Sequence, residues 1–492
     1  MKSRLSFVNM LSIYGLLLIF AGGVHLLPLL VLPFYPEELM EGIYIAAPAA
    51  FAMLLGVLLS RLNKENSQIT AKHGTVLVFL LWLSSALITA APYMISGRLN
   101  FTQSFFEGMS GWTTTSMTVL KSEPLPHVLV LCRSITNFFG GVGLICVVLS
   151  TLSETYGMHL YTAEGHSDRL LPNLAKSARM IISLFAIYFT AGTVAYIIAG
   201  MPVFDAVNYC MSALSTGGMS INGMSITDYN SITIEIITML LMILGATNFL
   251  VHMMLIKREF GLFAKIGEVR CFAFLIITGT LLITVSFAHT VCSGAGEAFR
   301  TAVFNTVSVL TTTGFSTLPA YSGLPHFSVV LLIFFMFVGG GAGSTAGGIK
   351  TGRLYLLCKA LVWRIKRRFM SDLNAKELSI NYPQGKIYLK DEQYISAYSY
   401  VVLHIAVLFA GVLVLTAHGY SLQDSLFEFT SVMGTVGVSS GIVSRATPGL
   451  VLWMMSIGMF LGRLEIIVVI IAVVQLVKDA GKAITHSTRH KA

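Results

Sequence analysis

Charge is what this sequence has least of. Asp, Glu, Lys and Arg together make up 11% of its 492 residues, where a soluble domain carries about a quarter. So little charge cannot wrap a soluble core of this size, which excludes a soluble enzyme, a disordered regulator and a nucleic-acid-binding protein. The six cysteines (Cys132, Cys146, Cys210, Cys271, Cys292 and Cys358) are scattered with no CxxC pair. They read as small apolar fillers, and neither a disulfide framework nor a zinc site is indicated. No nucleophile–base constellation stands out, and no ATP-binding or phosphorylated-aspartate domain is present to drive a pump. The chain does not read as an enzyme. His25, His252 and His404 lie in apolar stretches without acidic neighbours, and are expected to be packed or hydrogen-bonded core residues. What the chain has in abundance is apolar surface: 55% of its residues are hydrophobic and the mean hydropathy is +0.77.

A membrane-crossing helix needs about 20 apolar residues. Ten stretches qualify, near 7–32, 42–60, 75–96, 127–150, 180–200, 231–256, 271–290, 325–349, 394–417 and 448–476. The first is too long for a signal-peptide core and no small-residue cleavage site follows it, so it is expected to be retained. With the N-terminus inside, 26 of the 32 Lys and Arg fall on the cytoplasmic side and only four (Arg98, Lys121, Arg300, Arg445) outside. The positive-inside rule then places both termini in the cytoplasm. The basic run Trp363-Arg364-Ile365-Lys366-Arg367-Arg368 is expected to meet anionic lipid, with docking of a cytoplasmic partner as the alternative.

Internal repeats decide the architecture. Four shorter apolar segments, each of about 12 residues and too short to cross, end in Thr/Gly-rich strings. They read FFEGMSGWTTTSMT (105–118), VNYCMSALSTGGMS (207–220), VFNTVSVLTTTGFS (303–316) and LFEFTSVMGTVGVS (426–439). Aligned without gaps, Ser110, Ser212, Ser308 and Ser431 coincide, as do Thr114, Thr216, Thr312 and Thr435. Ser116, Gly218, Gly314 and Gly437 share a key column two residues further on. Each unit is therefore span, short re-entrant helix, Thr/Gly strand, span. Non-helical backbone at membrane depth persists only when it lines a polar pathway or is buried in protein. Four such strands around one axis would present rings of carbonyls to a dehydrated cation, as in a potassium filter, with the negative ends of the short helices favouring cations. Asp205 and Asp424 stand at one repeat position near the starts of their helices, where an acid suits the positive end. The sequence predicts an all-α polytopic membrane protein with ten spanning helices, four re-entrant pore helices and a pseudo-fourfold pore.

These strings, with the glycine run Gly339 to Gly348, Ile349, Lys350 and the segment Gly462-Arg463-Leu464-Glu465, resemble the TrkH-type subunits of the Trk/Ktr/HKT superfamily of potassium transporters. The resemblance covers essentially the whole chain. It implies potassium uptake across a bacterial cytoplasmic membrane by a homodimer with one pore per protomer. It also implies a cytoplasmic ring of TrkA-type subunits, with nucleotide bound on that partner only. Residues 1–73 then form an N-terminal two-helix extension, 74–150, 178–258, 270–362 and 393–477 the pore repeats, and 478–492 a cytoplasmic tail. The filter would comprise Thr114, Thr115, Ser116, Thr216, Gly217, Gly218, Thr312, Thr313, Gly314, Thr435, Val436 and Gly437. Ser116 departs from the glycine that bacterial members carry in that column, and in plant members serine there goes with sodium permeation. A serine must either accept a strained backbone or turn its carbonyl away, and turning away would weaken discrimination between potassium and sodium.

Six glycines within 339–348 should break the eighth span, since each costs about 1 kcal/mol in a helix. An irregular intramembrane loop at 339–350 is expected there, where the family has its gate, with Gly340, Gly341, Gly343, Gly347, Gly348 and Lys350 as gating residues. Ile349 separates Gly348 from Lys350, and a span replaces the required strand, so no phosphate-binding loop is read here. Arg463 lies inside the last apolar stretch, where an unpaired charge costs at least about 2.5 kcal/mol. It is expected to face the pathway and meet the glycine loop. Arg133 is expected simply to snorkel. Two alternatives remain: a sodium-permeable or sodium-coupled protein of the same architecture, and a secondary transporter of an organic solute, which would call for inverted rather than parallel repeats.

Overall fold

The computed structural model describes residues 2–62, 71–120, 124–143, 174–221, 226–288, 290–369, 378–382, 385–389 and 391–489. Parts of the basic loops counted above, within 63–70, 144–173 and 370–377, lie outside these residues, as does Cys146. The chain divides into two compact units, one of Met1–Trp112, Leu125–Phe185 and Leu464–Ala492, the other of Thr113–Pro124 and Ala186–Arg463.

In the first unit, helices Lys2–Leu26 and Leu39–Ser60 pack through glycines. A Cβ on Gly15 would run into the Gly56 carbonyl, and one on Gly56 into the Gly15 carbonyl, the close backbone approach typical of membrane helix pairs. Pro126 precedes helix His127–Val142, whose first amides, His127 N and Val128 N, donate to the Glu38 carboxylate at 2.8 and 2.9 Å. A carboxylate there satisfies orphan donors and meets the positive end of the helix. Gly143, with φ +93°, closes the helix, so the described helix of the expected 127–150 span stops at Val142. Arg133 does not snorkel. It is 7% exposed and its Nη2 lies 3.4 Å from Oε2 of the equally buried Glu107 on the short helix Phe101–Trp112.

The second unit contains the short helices Val203–Leu214, Ala295–Leu310 and Leu422–Met433, the longer helices around them, and a hairpin, Ser379–Tyr382 with Gly385–Tyr388. Along helix Gly267–Ala288, Phe274, Ile277, Leu281 and Val285 are all exposed. They lie at helical spacing, one apolar face turned outward where a soluble protein would place charge.

Among the described residues, six helices are long and apolar enough to cross a membrane, or up to eight if each bent pair is one span; His326–Val338 and His127–Val142 are apolar but shorter. Two of the expected spans are not continuous helices. The 231–256 stretch is two helices, Ile232–Gly245 and Phe249–Ile256, bent by 110°. At that break the exposed carbonyls have found partners: Gly341 N donates to Ala246 O at 2.8 Å and Thr345 N to Gly245 O at 3.2 Å. The Asn248 side chain accepts from Leu250 N and starts the second helix. A break is tolerated in a membrane only where protein satisfies the freed groups in this way. The 448–476 stretch ends its first helix at Leu464, followed by Glu465 with φ +64°. Arg463 is therefore in a last helical turn rather than mid-helix.

Candidate ion pathway

The four Thr/Gly strings share one unusual backbone. Thr114, Thr216, Thr312 and Thr435, none of them glycine, all have left-handed φ values of +57°, +53°, +57° and +51°. Two residues on, Ser116, Gly218, Gly314 and Gly437 are left-handed again, at +57°, +65°, +87° and +89°. A left-handed conformation costs a non-glycine residue about 1–2 kcal/mol, so four threonines hold it only because their surroundings over-determine it. Alternation of φ sign along a strand turns successive carbonyls toward one side. Ser116 thus takes the strained option and keeps the backbone path of the other three strands.

The glycines show how the strands neighbour one another. A Cβ on Gly218 would strike the Thr313 carbonyl, one on Gly314 the Val436 carbonyl, and one on Gly437 the Thr115 carbonyl. Those three carbonyls belong to one column, the residue before the key position. The strands are therefore arranged in chain order, second beside third, third beside fourth, fourth beside first, and all four lie in the second unit. The threonine column is fully buried, while all four key-column residues are partly exposed along the seam between strands.

The serine column holds the strands against their helices. Gly217 N, Thr313 N and Val436 N donate to the carbonyls of Ser212, Ser308 and Ser431 at 2.9, 2.8 and 2.8 Å. Ser212 Oγ also accepts from Met219 N, and Ser308 Oγ donates to Phe315 O, the same column in two repeats. The threonine pairs Thr113–Thr115 and Thr311–Thr313 match as well, at 2.9 and 2.8 Å.

The glycine loop leaves helix His326–Val338 at Gly339, which has φ +72°. Gly343, Gly348 and Lys350 are also left-handed. The loop lies against the threonine column: Gly347 N donates to Thr312 Oγ1 at 2.9 Å, and Thr345 Oγ1 lies 3.0 Å from Thr216 Oγ1. A Cβ on Gly347 would collide with Thr435 Oγ1, so only glycine fits there. Gly340 O accepts from Thr351 N, the Lys350 ammonium donates to Ala346 O, and Glu268 Oε1 accepts from Ala342 N at 2.5 Å. Arg463 Nη1 donates to the Thr345 carbonyl. The structure thus brings all the expected gating residues into one cluster, three of whose contacts are to the strands.

One set of residues escapes a reading of the sequence alone. Each string ends in a hydroxyl, Thr118, Ser220, Ser316 or Ser439. Three of these accept a hydrogen bond from the amide two residues on: Leu120 N, Leu318 N and Gly441 N, at 3.0, 2.9 and 3.0 Å. The signal was present as a fourth matching column at the end of each string. The histidines behave as core residues: His25 bonds Ala21 O and Thr89 Oγ1, and His252 bonds Tyr188 OH and Leu244 O. His404 is packed among Phe337 and Tyr400. The five cysteines among the described residues are all free, and no cluster of metal-binding side chains occurs among them.

The sequence profile of TrkH, described as a cation transport protein, matches residues 44–481. The chain belongs to the TrkH family. It is a multi-pass membrane protein of a transporter family rather than an enzyme. An uncharacterized cation transporter of Methanocaldococcus jannaschii is 31% identical over 477 residues, covering 94% of both chains. The Trk system potassium uptake protein TrkG of Escherichia coli is 31% identical over 458 residues, covering 90% of this chain and 93% of that protein. The crystal structure of the potassium transporter TrkH from Vibrio parahaemolyticus matches with a TM-score of 0.82 and 26% identity, over 94% of this chain and 98% of that one.

Proposed function

We propose that this TrkH-family chain carries potassium into the cell through the four strands, down the electrochemical gradient. The observation that carries the reading is the repeated left-handed pair at 114/116, 216/218, 312/314 and 435/437, which gives the strands equivalent carbonyls facing one seam. Carbonyl rings replace the hydration shell of a potassium ion, and the negative helix ends behind them favour a cation. Relatives named as potassium uptake proteins support the choice of ion. Thr114, Thr115, Ser116, Thr216, Gly217, Gly218, Thr312, Thr313, Gly314, Thr435, Val436 and Gly437 form the filter on this reading. Gly340 to Lys350 form a barrier on one side of it, pinned by Arg463, whose charge opposes a cation in the closed pathway. Ten spans, cytoplasmic termini, a homodimer and a nucleotide-binding cytoplasmic ring of TrkA type complete the proposal, in a bacterial cytoplasmic membrane. Nucleotide would sit on the partner alone, and this chain would hold nothing but the passing ion.

A second reading, sodium permeation, rests on Ser116. Its retained left-handed φ keeps the strand in register with the glycines and so favours potassium. Complementation of a potassium-uptake-deficient bacterium at graded external potassium and sodium tests both. Growth restored at low potassium irrespective of sodium supports the proposal; growth that requires sodium, or no rescue by a well-expressed protein, overturns it.

A further inference from the structure

Behind the strands lies a layer of polar side chains on the short helices. At one repeat position stand Glu107, Tyr209, Asn305 and Glu428, and the last three belong to the second unit. The Tyr209 hydroxyl meets the backbone of Ile221. Asn305 Nδ2 donates to Thr317 Oγ1 at 2.7 Å, and its Oδ1 accepts from Tyr321 OH at 3.1 Å and Ser316 Oγ at 3.3 Å. Glu428, fully buried, accepts from Ser439 Oγ at 2.7 Å on Oε1. On Oε2 it accepts from Ser440 N at 2.7 Å and Ser440 Oγ at 3.0 Å. Each of these three side chains grips the chain where it leaves its strand, two or three residues beyond the key glycine.

We propose that Glu428 is a positioning residue for ion selectivity in the fourth strand. The inference deepens the potassium reading and rests on it. A carboxylate only accepts, and here three donors converge on its two oxygens, so the exit of the strand has one geometry. Ser439 is fixed at both ends: its hydroxyl donates to Glu428 and accepts from Gly441 N at 3.0 Å. Gly437 is two residues away, and its neighbouring carbonyl contact is to Thr115 of the first strand. The first strand is the one with serine at the key position, so the seam between fourth and first strands joins a glycine to the non-glycine strand. Restraint behind the fourth strand holds that seam at the width the other glycines set. Asn305 makes the same kind of grip in the third repeat without a charge, and charge-assisted hydrogen bonds are roughly twice as strong as neutral ones. The fourth strand is therefore held harder than the third.

The test uses the full-length protein in liposomes, with potassium-over-sodium permeability ratios as readout and thermal stability measured alongside. Glu428→Gln substitutes an NH₂ for one accepting oxygen and leaves at least one donor unmatched. It should lower the permeability ratio about tenfold while potassium flux persists, and Glu428→Asp should recover part of it. Should Glu428→Gln not fold, Ser439→Ala removes one of the three bonds from the other side and should lower the ratio about threefold. A purely structural Glu428 would lower stability and leave the ratio alone; a folded variant with an unchanged ratio overturns the inference. Wild-type protein that carries no potassium overturns the functional reading itself, and with it this inference.

Discussion

The guanidinium of Arg463 donates to the carbonyl of Thr345, 118 residues earlier in the chain, while the hydroxyl of the same threonine lies 3.0 Å from Thr216 Oγ1. One residue of the glycine loop is thereby tied at its backbone to a cation and at its side chain to a strand. If this tie closes the pathway, Arg463→Ala should raise basal cation leak, measured as rubidium efflux from liposomes, and Arg463→Lys should preserve most of the closure. A folded Arg463→Ala protein without leak would leave Arg463 a packing role only.

Shortening the loop between Gly340 and Gly347 should raise ion flux without abolishing ion preference, because the strands keep their own bonds to Ser212, Ser308 and Ser431. Flux through the deletion variant unchanged from wild type would argue against a barrier there. Gly347→Ala should perturb the loop from the opposite direction, since its Cβ would meet Thr435 Oγ1 and the Gly434 carbonyl.

Ser116→Gly removes a left-handed non-glycine residue and should stabilise the protein by about 1 kcal/mol, seen as a rise in Tm, with a permeability ratio within about twofold of wild type. Gly314→Ser should be far worse, because its Cβ would strike the Val436 carbonyl as well as strain the backbone. It should lower the potassium-over-sodium ratio by tenfold or more, the equivalent of about 1.4 kcal/mol. A Gly314→Ser protein as selective as wild type would show that the strands do not need their observed spacing.

Arg133→Leu, which leaves Glu107 buried without its 3.4 Å partner, should cost about 3–5 kcal/mol and reduce the yield of monodisperse protein. The double replacement Arg133→Leu with Glu107→Leu should recover much of that loss, since two well-packed apolar residues often match a buried pair. Thermal unfolding in detergent of the wild-type protein and the two variants measures this directly.

Much of the fold was legible in the sequence because a bilayer leaves a chain few choices. Backbone groups must be satisfied within a helix or by protein, so hydropathy, length and the positive charge of loops read out the membrane class directly. The four matching strings marked the candidate site, because a glycine or threonine column repeated at offsets of 102, 96 and 123 residues leaves little room for chance. The run of six glycines marked the break after Val338 for the local reason that glycine is a poor helix former. What the sequence could not hold was anything made by residues distant in the chain meeting in space. The bend between Gly245 and Phe249 exists because loop amides from Gly341 and Thr345 take up carbonyls there, and nothing in 231–256 announces it. Arg133 has the composition of a snorkelling residue, and only the packing of Phe101–Trp112 beside it supplies Glu107. Ser116 left two backbone conformations open, and the tertiary structure chose the left-handed one. Local propensity sets the pieces, but strain, bends and buried charges are tolerated only where neighbours far along the chain compensate them, so the three-dimensional arrangement alone decided those.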